Sequence, residues 1–182
     1  IFEVNGSRIA LSVCEDIWHE KAIKQAYDSK ADLILNINAS PFHLEKINER
    51  KQLISSQSAK YSLPIVYANQ VGGQDELVFD GTSMVMDSEG IQVMQLAKFD
   101  KDMKVVEFVS DDGSNLKAAN YEDIPEENEI ADVYKALVLG AKDYILKNNF
   151  PGVLIGSSGG IDSALTAAIA ADALGAEKVR TY

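Results

Sequence analysis

The single cysteine of this 182-residue chain, Cys14, stands directly before two carboxylates, Glu15 and Asp16. The apolar run before it predicts a strand, so the thiol is expected at a strand-to-helix junction. Backbone N–H groups at such a junction can stabilise a thiolate and an oxyanion. A free cysteine is more often a small buried apolar residue, but unpaired carboxylates beside it are not buried in an apolar core. The residues alone leave both a core cysteine and a nucleophile open.

A second candidate site is the glycine-rich run SSGGIDS at 157–163, between a strand pattern, GVLIG, and an alanine-rich helix pattern. N–H groups of such a loop can converge on an anion, and the helix N-terminus adds about half a positive charge. The run matches neither the Walker loop, because no Lys follows the glycines, nor G-x-G-x-x-G. Asp162 would repel phosphate unless a divalent cation lay between them. Alternatively, Asp162 is a helix cap after a tight Gly159-Gly160 turn.

The elements that must position the cysteine begin with a β-α-β unit. Residues 1–14 predict a hairpin with Asn5-Gly6 as its turn. A helix ending near Lys30 and a buried strand, ADLILNIN, follow, and then a weaker helix over 43–60. The next strands are short: LPIVYAN, TSMVM, IQVMQL and MKVVEF. This order predicts a sandwich of sheets with helices outside.

The glycine-rich run belongs to a separate set of elements. Between residues 111 and 132 the chain has eight acidic residues and one lysine, which predicts a solvated linker. Apolar residues at helical spacing then predict an amphipathic helix that ends before Pro151. We therefore divide the chain into a first domain over 1–110, a linker over 111–128 and a second domain over 129–182.

Composition limits the class of protein. A net charge of −11 would repel a phosphate backbone, so a nucleic-acid partner is not expected. One cysteine and two distant histidines, His19 and His43, cannot form an internal disulfide or a multi-cysteine zinc site. Without a secretory-signal pattern or an apolar run of membrane length, we expect a soluble protein of the reducing cytoplasm. The chain begins inside a hairpin and stops where a strand pattern starts, so we also expect a piece of a longer polypeptide.

The string S-G-G-x-D-S after an apolar strand resembles the ATP pyrophosphatase, or PP-loop, family. Members of that family cleave ATP between its α and β phosphates to adenylylate a substrate. The resemblance implies an ATP site in which Ser158, Gly159, Gly160 and Ser163 hold pyrophosphate and Asp162 binds Mg²⁺.

The strings RIALSVCEDIW, ADLILNINASPFH and LPIVYANQVGGQDELVFDGTSMVMDSEG resemble, in that order, the second half of a nitrilase-superfamily amidase domain. That family uses a Glu-Lys-Cys triad, and the resemblance implies that Cys14 is the nucleophile. Attack on a glutamine amide gives a thioester and ammonia, with the Glu15 N–H as part of the oxyanion hole. Trp18 is then a wall of the glutamine pocket.

Three further residues, Ser40, Lys46 and Arg50, are candidates for binding the α-amino and α-carboxylate groups of glutamine. A solvated helix face is the alternative for Lys46 and Arg50, because they lie four residues apart on the predicted helix. Relatives often carry glycine where this chain has Glu45. His43 is expected to be structural, because the triad contains no histidine.

Together, the two halves resemble the glutamine-dependent NAD synthetase family. The implied fold is α/β: the C-terminal part of a nitrilase-like α-β-β-α sandwich, followed by the start of a Rossmann-like PP-loop α/β domain. The implied reaction converts nicotinate adenine dinucleotide, ATP and glutamine to NAD, AMP, pyrophosphate and glutamate. Members are homo-oligomers that pass ammonia between active sites. The two activities belong together because ammonia can displace AMP from an acyl-adenylate.

Two alternatives remain: a stand-alone carbon–nitrogen hydrolase whose C-terminal segment is a structural cap, and a non-catalytic fragment. The Glu and Lys of the triad lie well upstream of the cysteine in the family, and only thirteen residues precede Cys14. We therefore expect this chain not to hydrolyse glutamine on its own.

Overall fold

A computed structural model describes residues 1–110, 116–126 and 128–182 of the chain. The strands within these residues are β1 (Phe2–Val4), β2 (Ser7–Val13), β3 (Leu33–Asn38), β4 (Ile65–Asn69), β5 (Val71–Gln74), β6 (Leu77–Asp80), β7 (Met84–Met86), β8 (Gln92–Gln95), β9 (Phe108–Val109), β10 (Lys117–Ala118), β11 (Val153–Ile155) and β12 (Val179–Thr181). The helices are α1 (Glu20–Asp28), α2 (Lys46–Tyr61), α3 (Glu129–Lys147) and α4 (Ile161–Leu174), with short 3₁₀ segments at Cys14–Trp18 and Ala176–Lys178.

A mixed six-stranded sheet in the order β1-β2-β3-β4-β7-β8 organises the first part of the chain. Strands β2, β3 and β4 are parallel, and the outer strands pair antiparallel. The β1–β2 turn is formed by Asn5 and Gly6, both at positive φ (50° and 83°), as the Asn-Gly pattern predicts. Because parallel strands share one direction, the residues that follow β2, β3 and β4 meet at one edge of the sheet.

Helices α1 and α2 cover one face of this sheet. Ile23 of α1 and Ile54 of α2 are buried in one core cluster with the strand residues Ile34, Ile65 and Tyr67. Alternate residues of a strand point to the same face, so the pattern that buries Ile65 also turns Tyr67 toward the helices. Apolar packing therefore holds α1 and α2 against this face of the sheet.

Strands β9 and β10 cover part of the opposite face. Leu116 is buried beside Ile9 and Leu33, and the backbone N–H of Glu122 donates to the Val93 carbonyl at 2.9 Å. Residues 111–115 and 127 of the predicted linker lie outside the described residues. The stretch from 116 to 122 packs on the first part of the chain because Leu116 and Ala118 are buried, and to that extent it differs from a solvated connection.

The second part of the chain is a β-α-β unit, in which α4 joins the parallel strands β11 and β12, with α3 packed against α4. Helix α3 also packs on the β5–β6 hairpin, and the Asp143 carboxylate accepts the Gly73 N–H at 2.8 Å. A Cβ on Gly73 would lie 3.1 Å from the Asp143 Cβ, so the contact is close. The Lys147 ammonium donates to the Gly73 carbonyl at 2.6 Å and pairs with Asp143 at 3.0 Å.

The two parts meet at a second point, where Lys98 and the start of α3 form an ion pair. The Lys98 Nζ lies 2.8 Å from the Asp132 carboxylate, and both side chains are about nine-tenths buried.

The observed fold class is α/β, as predicted. Within the described ranges, no helix has the length and apolar character that a bilayer span requires.

Candidate functional site

Cys14 follows β2 directly and opens the 3₁₀ segment Cys14–Trp18. Its side chain is exposed, and its φ of 49° lies in the left-handed region. A non-glycine residue in that region is uncommon, and such strain clusters at active sites. The Val13 N–H donates to the Asp16 carboxylate at 2.9 Å, which stabilises the turn around the cysteine. The core-cysteine alternative is therefore excluded, and a reagent can reach the thiol.

Glu15 is exposed and lies in the first turn of the same 3₁₀ segment. Backbone N–H groups at the start of a helical segment have no carbonyl partner within it. The Glu15 N–H is therefore placed, by its position in the chain, where an oxyanion formed next to Cys14 could accept its hydrogen bond.

Trp18 and Lys46 are brought together across 28 residues of sequence. The Lys46 Nζ lies 4.1 Å from the centroid of the Trp18 ring, within the range of a cation–π contact. Lys46 opens α2 and also lies 3.2 Å from the Glu49 carboxylate, with its side chain about one-fifth exposed. The contact joins the segment that carries Cys14 to the first turn of α2.

Ser40 is nearly buried just beyond the end of β3, and Asn69 holds it at the end of β4. The Ser40 N–H donates to the Asn69 Oδ1 at 2.9 Å, and the Asn69 Nδ2 donates to the Ser40 carbonyl at 3.2 Å. The Asn69 N–H in turn donates to the Ser83 hydroxyl at 2.9 Å. The loop after β3 is therefore fixed to the neighbouring strand at the edge where the cysteine lies.

Arg50 is fully buried, so the solvated-face alternative is wrong for this residue. Its Nη2 donates to the carboxylate of Asp80, also fully buried, at 2.6 Å. A buried charge without a partner is strongly destabilising, so Arg50 depends on Asp80. Asp80 was not among the residues predicted from the sequence. The only indication was its position at the end of a short strand in DELVFDG.

Glu45 and His43 lie in the loop that leads from β3 to α2. Glu45 has a φ of 66°, in the left-handed region that favours glycine. The Nδ1 of His43 lies 2.8 Å from the Leu44 carbonyl, so the ring contacts backbone next to it in the loop.

The glycine-rich run has the predicted order of strand, loop and helix. β11 ends at Ile155, α4 begins at Ile161, and the residues between them are exposed. Gly159 adopts a φ of 78°, and a Cβ there would contact nothing within 4 Å, so the backbone conformation rather than crowding requires glycine. The loop is exposed at residues 156–160, so a ligand can approach it, although the Ser157 N–H already donates to the Tyr182 carbonyl at 2.7 Å.

Hydroxyl groups fix the shape of this loop. The Ser158 and Ser163 Oγ atoms lie 3.3 Å apart, the Gly160 N–H donates to the Ser158 Oγ at 3.4 Å, and the Ser163 hydroxyl donates to the Gly160 carbonyl at 3.0 Å. Asp162 lies in the first turn of α4. The structure thus brings all five residues predicted for ATP together at one helix N-terminus.

A metal ion at this loop would rely on Asp162. Over residues 1–110, 116–126 and 128–182, no group of three or more His, Cys, Asp or Glu side chains could hold a metal ion. Mg²⁺ commonly binds one or two carboxylates and takes its other ligands from phosphates and water. The residues therefore fit a Mg²⁺ that arrives with a nucleotide and do not fit a cage built from protein side chains alone.

Comparisons with protein families place both parts of the chain. Residues 1–117 match the model of the carbon-nitrogen hydrolase family, and residues 133–182 match that of NAD synthase. The chain is similar to the glutamine-dependent NAD(+) synthetase of Acinetobacter baylyi, at 39% identity over 180 residues that cover 99% of the chain and 33% of that protein. The corresponding protein of Aquifex aeolicus is 36% identical over 211 residues, covering 99% of the chain and 37% of its own length.

Solved structures of other proteins also match this chain. The glutamine-dependent NAD+ synthetase from Acinetobacter baumannii, in complex with adenosine diphosphate, matches with a TM-score of 0.91 and 43% identity, over 99% of this chain and 34% of that chain. A carbon-nitrogen hydrolase from Helicobacter pylori shares the fold, with a TM-score of 0.50 and 19% identity, over 53% of this chain and 39% of that one.

The chain spans about a third of the length of the curated relatives it matches. The resemblance to glutamine-dependent NAD synthetases is confirmed, and so is the predicted fold class, an amidase-type α/β domain followed by the start of a PP-loop domain.

Proposed function

The chain belongs to the carbon–nitrogen hydrolase family, and from that membership we propose that it carries the ammonia-producing cysteine and the ATP loop of a glutamine-dependent NAD synthetase. The observation that supports this proposal most strongly is the occurrence of both features in one chain: an exposed, left-handed Cys14 at a strand end, and an open SSGGIDS loop at a helix N-terminus. Either feature alone would support only half of the reaction.

In the amidase half, the Cys14 thiolate attacks the side-chain amide carbon of glutamine. The tetrahedral oxyanion accepts a hydrogen bond from the Glu15 N–H, and its collapse breaks the C–N bond and releases ammonia as the amine takes up a proton. Water then hydrolyses the thioester to glutamate. Trp18 forms a wall of the pocket, and Ser40 and Lys46 face the α-amino and α-carboxylate groups of the substrate.

In the synthetase half, the carboxylate of nicotinate adenine dinucleotide attacks the α-phosphorus of ATP and displaces pyrophosphate. Ser158, Gly159, Gly160 and Ser163 hold the pyrophosphate through backbone N–H groups and hydroxyls. Asp162 would hold a Mg²⁺ ion, which would neutralise part of the charge of the phosphates. Ammonia then attacks the acyl-adenylate and displaces AMP, which gives NAD.

The remaining parts of the proposal concern the whole enzyme. The family triad includes a Glu and a Lys in addition to the cysteine, and we propose that the 182 residues alone do not hydrolyse glutamine. We also propose a homo-oligomeric enzyme of the cytoplasm that takes small molecules and neither nucleic acid nor membrane as partners.

Cys14→Ala tests this function in the whole synthetase, with NAD formation measured from glutamine and from ammonium in parallel. Loss of the nucleophile should lower the glutamine-driven rate by about 10³-fold or more and leave the ammonium-driven rate within about twofold of the wild type. Equal loss of both rates would overturn the role assigned to Cys14. Amidase activity without any ATP-dependent amidation in the wild type would instead favour a stand-alone carbon–nitrogen hydrolase.

A further inference from the structure

A fully buried polar cluster lies beside the loop that carries Ser40. It consists of Tyr67 on β4, Arg50 on α2 and Asp80 at the end of β6, each without exposed surface. The Arg50 Nη2 donates to the Asp80 Oδ2 at 2.6 Å. The cluster thus connects one helix and two strands that lie between residues 46 and 80.

Several polar atoms of this cluster have no hydrogen-bond partner among the residues the structure describes: the Nε and Nη1 of Arg50, the Tyr67 hydroxyl and the Asp80 Oδ1. Burying polar groups with incomplete hydrogen bonding opposes folding, and apolar side chains of similar volume are often at least as stable as a buried ion pair. Stability therefore does not explain why these three residues occupy the centre of the first part of the chain.

Tyr67 lies two residues before Asn69 on β4, so the two side chains are on one face of that strand, and Asn69 bonds the Ser40 backbone. Burial raises the pKa of the Tyr67 hydroxyl, and Arg50 and Ser40 oppose that rise. The phenol therefore keeps its proton, and its hydroxyl has no hydrogen-bond partner among the described residues. Because Asn69 already fixes the Ser40 backbone, contact with Tyr67 would set the direction of the remaining group, the Ser40 hydroxyl.

The same cluster sets the orientation of Lys46. Arg50 lies one turn after Lys46, and residues four apart share a face of the helix. The anchor to Asp80 therefore limits rotation of the first turn of α2 and keeps Lys46 over the Trp18 ring. Asp80 is itself held, because its carbonyl accepts the Phe99 N–H at 2.8 Å.

The cluster also meets a row of polar side chains that crosses the sheet toward the strand of the cysteine. Ser12, Asn36 and Tyr67 are neighbours in register on β2, β3 and β4. The Asn36 Nδ2 donates to the Ser12 hydroxyl at 2.8 Å, and the Asn38 Nδ2 donates to the Asn36 Oδ1. A row of polar side chains is costly in an apolar core but can support the residues of a binding site. This row therefore indicates a role in binding.

We propose that Arg50, Asp80 and Tyr67 are positioning residues that hold Ser40 and Lys46 in the geometry that binds glutamine, without touching glutamine themselves. This role rests on the proposed function, and it replaces a direct contact between Arg50 and the substrate. In this proposal Ser40 and Lys46 contact glutamine. The three buried residues of the cluster only orient them.

Tyr67→Phe is the variant that tests this role, because it removes one hydroxyl and keeps the ring. In the whole synthetase we expect the KM for glutamine to rise about tenfold, with the glutamine kcat and the ammonium-driven rate within about twofold of the wild type. Arg50→Lys, which keeps the charge and loses the planar fork, should shift the KM in the same direction. If Arg50→Lys fails to fold, Tyr67→Phe alone decides the matter.

Ser58→Ala is the matched control, since the buried Ser58 hydroxyl lies near the other end of α2 and donates to the Leu63 carbonyl at 2.6 Å. It should lower the thermal midpoint without changing the KM for glutamine. An unchanged KM in Tyr67→Phe, or equal losses with glutamine and with ammonium, would overturn the positioning role. A wild-type enzyme that cannot use glutamine would instead overturn the proposed function, and the positioning role with it.

Discussion

The two candidate sites of this chain are built in different ways. The site around Cys14 takes side chains from the ends of separate strands and from a helix, and buried contacts such as Arg50–Asp80 hold them in place. The site at 157–163 is one contiguous run whose backbone and hydroxyls are exposed. The first site therefore depends on tertiary packing, whereas the second depends on the local conformation of a loop and a helix N-terminus.

This difference has a consequence for mutations. A change at the loop should remove chemistry with little effect on the rest of the molecule, because its residues make few buried contacts. A change near the cysteine should alter substrate binding and stability together, because the same side chains serve both. Each prediction below tests one side of this contrast.

Among the substitutions that compare the two sites, the largest effect is expected for Asp162→Asn. The carboxylate is the group at the loop that can meet a cation, so we expect the glutamine-driven and ammonium-driven rates to fall together by at least about 100-fold. Asp172→Asn, on the same helix and bonded to the Tyr134 hydroxyl at 2.6 Å, is the control and should leave both rates within about twofold. Retained ATP turnover in Asp162→Asn would contradict the metal role and, with it, the local character of this site.

An intermediate effect is expected where the two parts touch, at Asp143. Burial raises the pKa of the Asp143 carboxyl, but the Gly73 N–H and Lys147 more than offset that effect, so its pKa is lowered overall. A lowered folded-state pKa contributes stability that is fully present above the unfolded value, about 3.9, and is lost as the pH falls through the folded value. Docking of α3 on the hairpin should therefore weaken below about pH 4.

Asp143→Asn should reproduce that loss at neutral pH, at about 1 kcal/mol in urea unfolding, because a charge-assisted hydrogen bond becomes a neutral one. Asp28→Asn is the matched control. Its carboxylate pairs with Lys24 at 2.5 Å on the exposed surface of α1, where such a pair contributes about 0.5 kcal/mol or less. Equal effects of the two substitutions would mean that the contact between the parts is no stronger than a surface ion pair.

The smallest effect is expected at Glu45, in the packed site. Its left-handed φ of 66° is strained for a residue with a Cβ, so Glu45→Gly should raise the free energy of unfolding by about 0.5–1 kcal/mol. Glu45→Ala keeps a Cβ and should give no such gain. A gain from alanine as large as that from glycine would show that the backbone conformation is not the cause.

The contrast between the sites also explains what the sequence could and could not predict. The order of strand, loop and helix around 157–163 was predicted because its signals lie in one run of letters, and the Asn5-Gly6 turn was predicted for the same reason. The fold class followed from strand and helix patterns together with the family resemblance. Each of these features depends on residues that are near one another in the chain.

Features that depend on distant residues were missed or misplaced. Spacing alone made a solvated face an alternative for Arg50, whose partner Asp80 lies 30 residues away and only appears with the fold. Trp18 ends the 3₁₀ segment before α1, and the sequence patterns did not predict this segment. Tyr27 lies on α1 at helical spacing from Ile23, yet it is more than half exposed while Ile23 is buried. Periodicity predicts a helix, whereas packing decides which of its residues are covered.

The central claim is that Cys14 generates the ammonia used at the ATP loop, and covalent labelling tests it most directly. The whole synthetase would be treated with a glutamine analogue that carries an electrophilic diazoketone, and its peptides mapped by mass spectrometry. We predict one adduct on the Cys14 peptide, protection by glutamine, and loss of the glutamine-driven rate with the ammonium-driven rate retained. Complete loss of the glutamine-driven rate with Cys14 unmodified would contradict the claim.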